Sequence, residues 1–158
     1  MKKILSLLVL LVAMTSCEED VRFNTPAVQG LKDNDLWKAT EFSAMLGAGG
    51  SLTIEATNGF ETVVLKTVSS TPGMSFPLGE DESNKATYSL DADGISFDYQ
   101  TGTELGDGLI VISDEPDETN VSAGYISGTF RFNAVNEIGE SVNFQRGVFY
   151  RVPIQAIP

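Results

Sequence analysis

The sequence of 158 residues contains no histidine and a single cysteine. Protein sites for zinc and other transition metals need imidazole or thiolate ligands, so nearly all sites of this kind are excluded. The same absence excludes Ser-His-Asp and Cys-His catalysis, because both depend on an imidazole base. Any enzymatic chemistry would rest on carboxyl groups, and we expect no resident cofactor apart from the calcium ion considered below.

Positive charge is also scarce, with 10 lysine and arginine residues against 22 aspartate and glutamate residues. The net charge of −12 excludes nucleic acid as a partner, since binding to a phosphate backbone requires basic side chains that displace its counterions. Apolar residues make up 42% of the chain, which is enough to build a core. At this length we expect one domain with a tail.

The N-terminus has the order of segments that is typical of a secretory signal peptide. Lys2 and Lys3 precede an apolar run over residues 4–12, and small residues then lead to Cys17. The run is too short to span a bilayer, which takes about 20 apolar residues. A buried N-terminal helix or strand is the alternative, but the flanking pattern predicts a signal peptide over residues 1–16.

The segment Met14-Thr15-Ser16-Cys17 resembles a bacterial lipobox, in which the cysteine is acylated and becomes the first residue of the mature chain. This resemblance implies that lipidated Cys17 attaches the protein to a membrane. An unpaired cysteine in an exported protein is otherwise a reactive liability, which supports lipidation. The acidic residues 18–20 resemble the surface-export signal of Bacteroidetes lipoproteins, although a solvated tether is the alternative. We expect an outer-membrane lipoprotein, on the cell surface or on the periplasmic face.

The mature chain divides into a tether and one β-rich domain. Residues 17–35 show no sustained hydrophobic period, and the sequence predicts an acidic tether there. Over residues 36–158 no helical stripe is sustained, and β-branched and aromatic residues dominate the apolar runs. This pattern predicts a single all-β domain.

The first hairpin is indicated by Asn58-Gly59 between two alternating runs. A two-residue turn at this site pairs Ile54 with Val63 and Leu52 with Leu65. Because cross-strand partners share a face, all four side chains are predicted to point inward.

The second hairpin is indicated by Asp93-Gly94, a dipeptide that favours the same type of turn. With this turn, Leu90 lies opposite Phe97 and Tyr88 lies opposite Tyr99. The apolar side chains then share one face and the polar ones the other, as a half-buried antiparallel sheet requires.

Further strands follow. Residues 108–112 form a continuous apolar run, which predicts a strand buried on both faces. Residues 125–135 alternate, and Gly128 at an inner position indicates close approach of another group. Between residues 142 and 154 the alternation becomes ambiguous, and a bulge at Gly147 would restore it.

About eight strands are predicted in total, separated by irregular loops over residues 70–85, 100–107 and 114–122. Short strands without intervening helices indicate a sandwich or a barrel. We predict an antiparallel β-sandwich because the long connections resemble crossovers between two sheets, and a partly open β-barrel is the alternative.

Acidic clusters are the candidates for chemistry. Asp91 and Asp93, with Asp114 and Asp117, offer oxygen ligands that calcium prefers. The spacing does not match an EF-hand loop, and Asp93 already serves the predicted turn. Pairs of carboxylates could serve a hydrolase. With 22 acidic residues, however, suitable spacings arise by chance.

Four stretches resemble an uncharacterised family of small β-rich lipoproteins of the Bacteroidetes. They are Trp37-Lys38-Ala39, the run Ile-Ser-Gly-Thr-Phe-Arg-Phe-Asn-Ala over residues 126–134, and Gly147-Val148-Phe149, together with Pro72-Gly73. The resemblance covers about residues 35–155 and implies no activity or site residues. We therefore expect a non-enzymatic binding or structural module with a glycan, peptide or protein partner. A carboxylate-based hydrolase and a calcium-stabilised adhesion module are the alternatives.

Overall fold

The computed structural model describes residues 25–155. The predicted signal peptide and Cys17 lie outside this range. The described residues form strands and two single-turn 3₁₀ helices, without an α-helix among them, so the all-β prediction is confirmed. The strands are β1 (Ala27–Lys32), β2 (Asp35–Lys38), β3 (Glu41–Leu46), β4 (Leu52–Thr57), β5 (Glu61–Thr67), β6 (Ser75–Leu78), β7 (Lys85–Ala92), β8 (Ile95–Gln100), β9 (Asp107–Ile112), β10 (Tyr125–Val135) and β11 (Ser141–Gln155).

The strands of the described range belong to one sheet, in the order β2-β1-β11-β3-β4-β5-β7-β8-β10-β9-β6. Neighbours are antiparallel except β3 and β11, where Ala44 pairs with Ile154 in parallel. β11 also pairs with β10 from Ser141 to Pro153, so the sheet curls back on itself. The curled sheet encloses a single apolar core on its inner face.

Aromatic side chains occupy the centre of this core. The rings of Phe132 and Phe144 stack with their centroids 4.7 Å apart. Trp37 meets Phe144 edge-on at 5.7 Å, and Tyr88 lies 5.6 Å from the same ring. Because Phe144 touches side chains from β2, β7 and β10, it links strands that are distant in sequence.

The domain begins nearer the N-terminus than predicted. β1 pairs with β11, with Val28 opposite Phe149, and both side chains are completely buried. The prediction of a tether over residues 17–35 is therefore wrong from Ala27 onward. A six-residue strand that contains Gly30 has little alternation to recognise, and its partner lies near the other end of the chain.

The first hairpin has the predicted faces but a different register. Ile54 pairs with Leu65 and Ala56 with Val63, two residues away from the predicted partners. The reason is a longer turn, in which the side-chain oxygen of Asn58 accepts hydrogen bonds from the backbone N–H groups of Phe60 and Glu61. A shift of two residues keeps every side chain on its face.

The second hairpin has the predicted register. Leu90 pairs with Phe97 and Tyr88 with Tyr99, around a turn in which Asp93 and Gly94 have φ of 54° and 79°. The tip extends beyond the core, so Ile95 and Phe97 are exposed although they share a face with buried Tyr88.

The strand count exceeds the predicted eight. β6 (Ser75–Leu78) lies within residues 70–85, which were predicted as a loop, and it buries Phe76 and Leu78 against the core. It forms one edge of the sheet beside β9. Pro77 reduces the pairing capacity of this edge because proline lacks an N–H donor.

Two glycines let large rings approach the inner surface of β10 and β11. A Cβ on Gly128 would lie 2.4 Å from the ring of Phe149, and one on Gly147 would lie 2.6 Å from the ring of Phe130. The close approach predicted at Gly128 is therefore confirmed. A bulge also occurs at the predicted place, immediately before Gly147.

Candidate functional site

The outer face of β9, β10 and β11 carries a shallow groove. Ile110 and Ile112 of β9 point into the core, so Leu109 and Val111 between them face outward and remain half-buried. Thr129 of β10 pairs with Val111 on one side and with Val148 of β11 on the other. Their side chains form an aliphatic floor across three strands.

The bulge in β11 brings a second arginine to this face. Phe130 pairs with Gly147 and Phe132 with Phe144, so Gln145 and Arg146 together lie opposite the single residue Arg131. The extra residue keeps Phe144 and Gly147 both inward and leaves Arg146 exposed. Bulges re-aim side chains in this way.

Arg146 adopts a backbone conformation that is unfavourable for its residue type, with φ of 50°. The left-handed region costs a residue with a Cβ roughly 1–2 kcal/mol, and glycine is the residue that usually occupies it. Such outliers accumulate where a side chain is needed in a particular place. The strain at Arg146 thus marks this bulge as a candidate functional element.

We call this groove, lined by Leu109, Val111, Thr129, Phe130, Arg131, Arg146, Gly147 and Val148, the arginine groove. Its volume is about 300 Å³. Among the described residues, the lining contains two guanidinium groups and no carboxylate. Within residues 25–155 neither guanidinium takes part in a salt bridge, although the whole chain has a net charge of −12.

The arginine groove has the chemistry of a binding site for an anion. A guanidinium presents a planar fork of donors that matches a carboxylate or a phosphate. The aliphatic floor can cover an apolar part of the same ligand. Within residues 25–155, Thr129 supplies the one hydroxyl of the lining, and no general base lines the groove beside it.

A second cavity of about 300 Å³ is lined by Pro26, Phe42, Gly124, Tyr125, Arg151 and Pro153. Here the guanidinium of Arg151 lies over the ring of Tyr125, 4.5 Å from its centroid. This cation–π contact already engages the positive charge. The second cavity therefore has less free positive charge for binding an anion than the arginine groove has.

A polar cluster joins Lys32 of β1, Glu61 of β5 and Tyr88 of β7. The ammonium of Lys32 forms a salt bridge and a hydrogen bond with Oε1 of Glu61 and donates to the hydroxyl of Tyr88 at 3.0 Å. The Tyr88 hydroxyl donates to Oε1 of Glu61 at 2.6 Å, and Asn58 donates to Oε2 at 2.7 Å.

The pKa values of the three groups reflect these contacts. Burial alone would raise the pKa of Glu61, but the hydrogen bonds from Lys32, Tyr88 and Asn58 outweigh it and lower the pKa. Burial likewise opposes the charge of Lys32, yet its bonds to Glu61 and Tyr88 raise its pKa. Burial and the neighbouring Glu61 carboxylate raise the pKa of Tyr88 to about 12.

This cluster does not provide the machinery of a carboxylate-based hydrolase, the alternative considered from the sequence. A glycosidase uses two carboxyl groups, one of which is kept protonated by a raised pKa. The groups that contact Glu61 are an ammonium, a phenol and an amide, and the pKa of Glu61 is lowered. The cluster acts instead as a clasp between β1, β5 and β7.

The residues considered for calcium are not brought together into a metal site. Asp91 and Asp93 lie at the tip of the second hairpin, where Asp93 forms the turn. Asp114 and Asp117 lie in the exposed loop after β9. Among residues 25–155 no group of three aspartate, glutamate, cysteine or histidine side chains is arranged to hold a metal ion.

The sequence contained a partial signal for the arginine groove. The run over residues 108–112 was predicted to be buried on both faces, but the structure leaves Leu109 and Val111 half-buried. The apolar residues on the outer side form the groove floor instead of a second core. The alternation of residues 125–135, with Gly128 inward, puts Arg131 on the outer face. The role of Arg146 depends on a bulge geometry that residue types alone do not reveal.

No helix in the described part of the chain is long and apolar enough to cross a membrane.

Comparisons with known proteins add a family but no activity. No curated protein and no solved structure matches the chain. Residues 24–153, which include every strand up to the end of the β10–β11 pairing, match a domain of unknown function, DUF6252. The chain therefore belongs to the DUF6252 family.

Proposed function

We propose that this protein is a lipid-anchored module of the cell envelope that binds a ligand without transforming it, and that the arginine groove is the binding site. The observation that carries the proposal is a pair of arginines beside an aliphatic floor, neither of which forms a salt bridge within residues 25–155. The groove provides donors and apolar contact surface but no nucleophile with an adjacent base. Such a lining supports binding rather than catalysis.

The N-terminal sequence supports the anchoring part of the proposal. The apolar run over residues 4–12 and the lipobox-like segment that ends at Cys17 direct acylation to that cysteine. The resemblance to Bacteroidetes lipoproteins agrees with this placement. Nine residues lie between Cys17 and Ala27, the first residue of β1. At roughly 3.5 Å per extended residue, this link keeps the groove within a few tens of ångströms of the membrane.

Anchoring is tested by expressing the full chain and its Cys17→Ser variant in a Gram-negative host. We expect the wild-type chain to carry acyl groups, detected by mass spectrometry, and to sediment with outer membranes. The variant is expected in the soluble envelope fraction. An unmodified Cys17 on an unprocessed N-terminus would contradict lipid anchoring. Protease treatment of intact cells then separates surface display, which gives cleavage, from a periplasmic position, which gives protection.

Binding is tested with the mature chain, residues 17–158, carrying Cys17→Ser. The single core lies within residues 25–155, so removal of the leader leaves it complete. A panel of anionic and neutral compounds, including glycans, is screened by thermal shift. We expect ligands whose binding is lost in the Arg131→Gln, Arg146→Gln double variant and retained in Lys66→Gln, which removes an exposed cation elsewhere. Ligand binding that is unchanged in the double variant would contradict the proposed site.

A further inference from the structure

Resting on the function proposed above, we propose that the arginine groove selects an amphipathic carboxylate, meaning a carboxylate joined to a small apolar body. In this arrangement the carboxylate lies between Arg131 and Arg146, and its apolar body lies on Leu109, Val111 and Val148. The proposal rests on three properties of the groove, which are its charge, its floor and its backbone.

The charge of the groove calls for an anion. Arg131 lies across the bulge from Arg146, so two positive charges face each other on neighbouring strands. Like charges in opposed positions are destabilising. The chain has more than twice as many acidic as basic residues, yet no acidic residue from the described part of the chain lines the groove. An anion between the two guanidinium groups would remove the repulsion and satisfy both donor forks.

The floor of the groove requires that the anion carry an apolar body. Leu109, Val111 and Val148 are half-buried and line the cavity beside the two arginines. A small hydrated ion placed over these side chains would lose water without gaining hydrogen bonds. A hydrocarbon group there instead removes apolar surface from water. A volume of about 300 Å³ is at the lower end of the range for small-molecule sites.

The backbone around the groove favours a carboxylate over a phosphate. Phosphate sites commonly use free backbone N–H groups at a helix N-terminus or in a turn. Here the groove lies on the outer face of paired strands, in which residues 107–112 pair with 128–133 and the latter pair in turn with β11. The donors that face the ligand are therefore mainly the two guanidinium forks. Two planar forks suit the two oxygens of a planar carboxylate.

Two kinds of molecule carry a carboxylate joined to a small apolar body: a medium-chain fatty acid and a peptide that ends in an apolar residue. Octanoate represents the first and N-acetyl-leucine the second. Octanamide and N-acetyl-leucinamide are the neutral partners, matched in shape, and inorganic phosphate represents an anion without an apolar body. All five are titrated by calorimetry into the mature chain carrying Cys17→Ser.

We expect octanoate, N-acetyl-leucine or both to bind with one site per chain. Each neutral partner should bind at least about tenfold more weakly, because it lacks the charge-assisted bonds. Arg131→Gln and Arg146→Gln should each weaken carboxylate binding by about tenfold or more, whereas Lys66→Gln should not change it. The stronger of the two carboxylates identifies the source.

The outcomes that contradict the inference differ from those that contradict the proposed function. Two results would overturn the carboxylate class: amides that bind as tightly as the acids, or phosphate that binds more tightly than either acid. If that binding still depends on the arginines, the proposed function stands. Carboxylate binding that is unaffected by both arginine substitutions would overturn the groove as the site. If neither carboxylate binds but another compound binds in an arginine-dependent way, the carboxylate class is overturned and the groove remains the binding site.

The contact with the floor is tested separately by Val148→Thr, which keeps the side-chain shape. This variant should weaken carboxylate binding, and an unchanged affinity would contradict contact with the floor.

Discussion

The clasp and the arginine groove both place basic side chains against hydrocarbon, but only in the clasp is the positive charge paired. Lys32 lies against the ring of Tyr88 and is engaged by Glu61 and by the Tyr88 hydroxyl. Arg131 and Arg146 lie beside an aliphatic floor without a salt bridge in the described part of the chain. Satisfied polar groups contribute to folding, whereas unsatisfied ones leave hydrogen-bonding capacity for a ligand. We therefore interpret the clasp as structural and the arginine groove as functional.

The largest expected effect on stability comes from breaking the clasp. Glu61→Gln keeps the side-chain shape but leaves the Lys32 ammonium without a counter-charge. We expect a loss of about 1–3 kcal/mol in the free energy of unfolding, measured by urea denaturation. Glu55→Gln, at an exposed position on neighbouring β4, is the matched control and should change stability little. Equal effects of the two substitutions would show that the clasp has no special role.

The clasp should also shape the dependence of stability on pH. The pKa of Lys32 is raised from 10.5 and that of Tyr88 is raised from 10.0 to about 12. The folded state therefore holds these protons more tightly than the unfolded chain, and stability should fall as the pH rises above about 10. The lowered pKa of Glu61 has the opposite effect. Its contribution is present above its ordinary value of 4.5 and is lost as the pH falls through the lower value.

The alkaline limb and the acidic limb of this pH dependence are checked by urea denaturation between pH 3 and pH 11. Tyr88→Phe should flatten the alkaline limb, and Glu61→Gln should flatten both limbs because Glu61 contributes to each shift. Absorbance at 295 nm should show one of the four tyrosines ionising near pH 12 in the folded protein. A tyrosine titration that is complete by pH 11 in the folded state would contradict this account.

In the arginine groove, a substitution that removes the backbone strain at residue 146 should increase stability while it weakens ligand binding. Arg146→Gly places the most tolerant residue at φ of 50°. We expect stability to increase by up to about 1 kcal/mol, since the relief of strain exceeds the added flexibility of the unfolded chain. Carboxylate binding should weaken by about tenfold. Arg146→Gln is the control, because it removes the charge and keeps the strained backbone conformation. If this variant gains as much stability as the glycine variant, the gain does not come from relief of strain.

The smallest effect on stability is expected when both groove charges are removed. The Arg131→Gln, Arg146→Gln double variant should unfold within about 0.5 kcal/mol of the wild-type chain, because neither guanidinium forms a salt bridge within residues 25–155. A small gain is consistent with the loss of like-charge repulsion. Urea denaturation at neutral pH measures the difference.

The sequence predicts the inner face of the sheet well because burial imposes alternation. The inward positions of β10, including Ile126, Phe130 and Phe132, are buried as expected. The register of the second hairpin follows from Asp93-Gly94, since this turn has one common geometry. The first hairpin was misplaced by two residues because the Asn58 side chain stabilises a longer turn. Alternation does not detect a shift of two residues.

The outer face was harder to predict because it depends on pairings between distant segments. β1 was missed because its burial depends on β11, more than a hundred residues later. The bulge near Gly147 was predicted from a break in the alternation. That it places Arg146 beside Arg131 depends on the register between β10 and β11, which no local pattern determines.

The central claim is that the two arginines of the groove serve a ligand rather than the fold. It is tested most directly by the melting temperatures of the wild-type chain and the Arg131→Gln, Arg146→Gln variant, each measured with and without octanoate or N-acetyl-leucine. Without ligand, we predict melting temperatures that differ by no more than about 3 °C. With ligand, we predict a rise in the wild-type chain alone. A variant that melts well below the wild-type chain without ligand, yet keeps the ligand-induced rise, would contradict the claim.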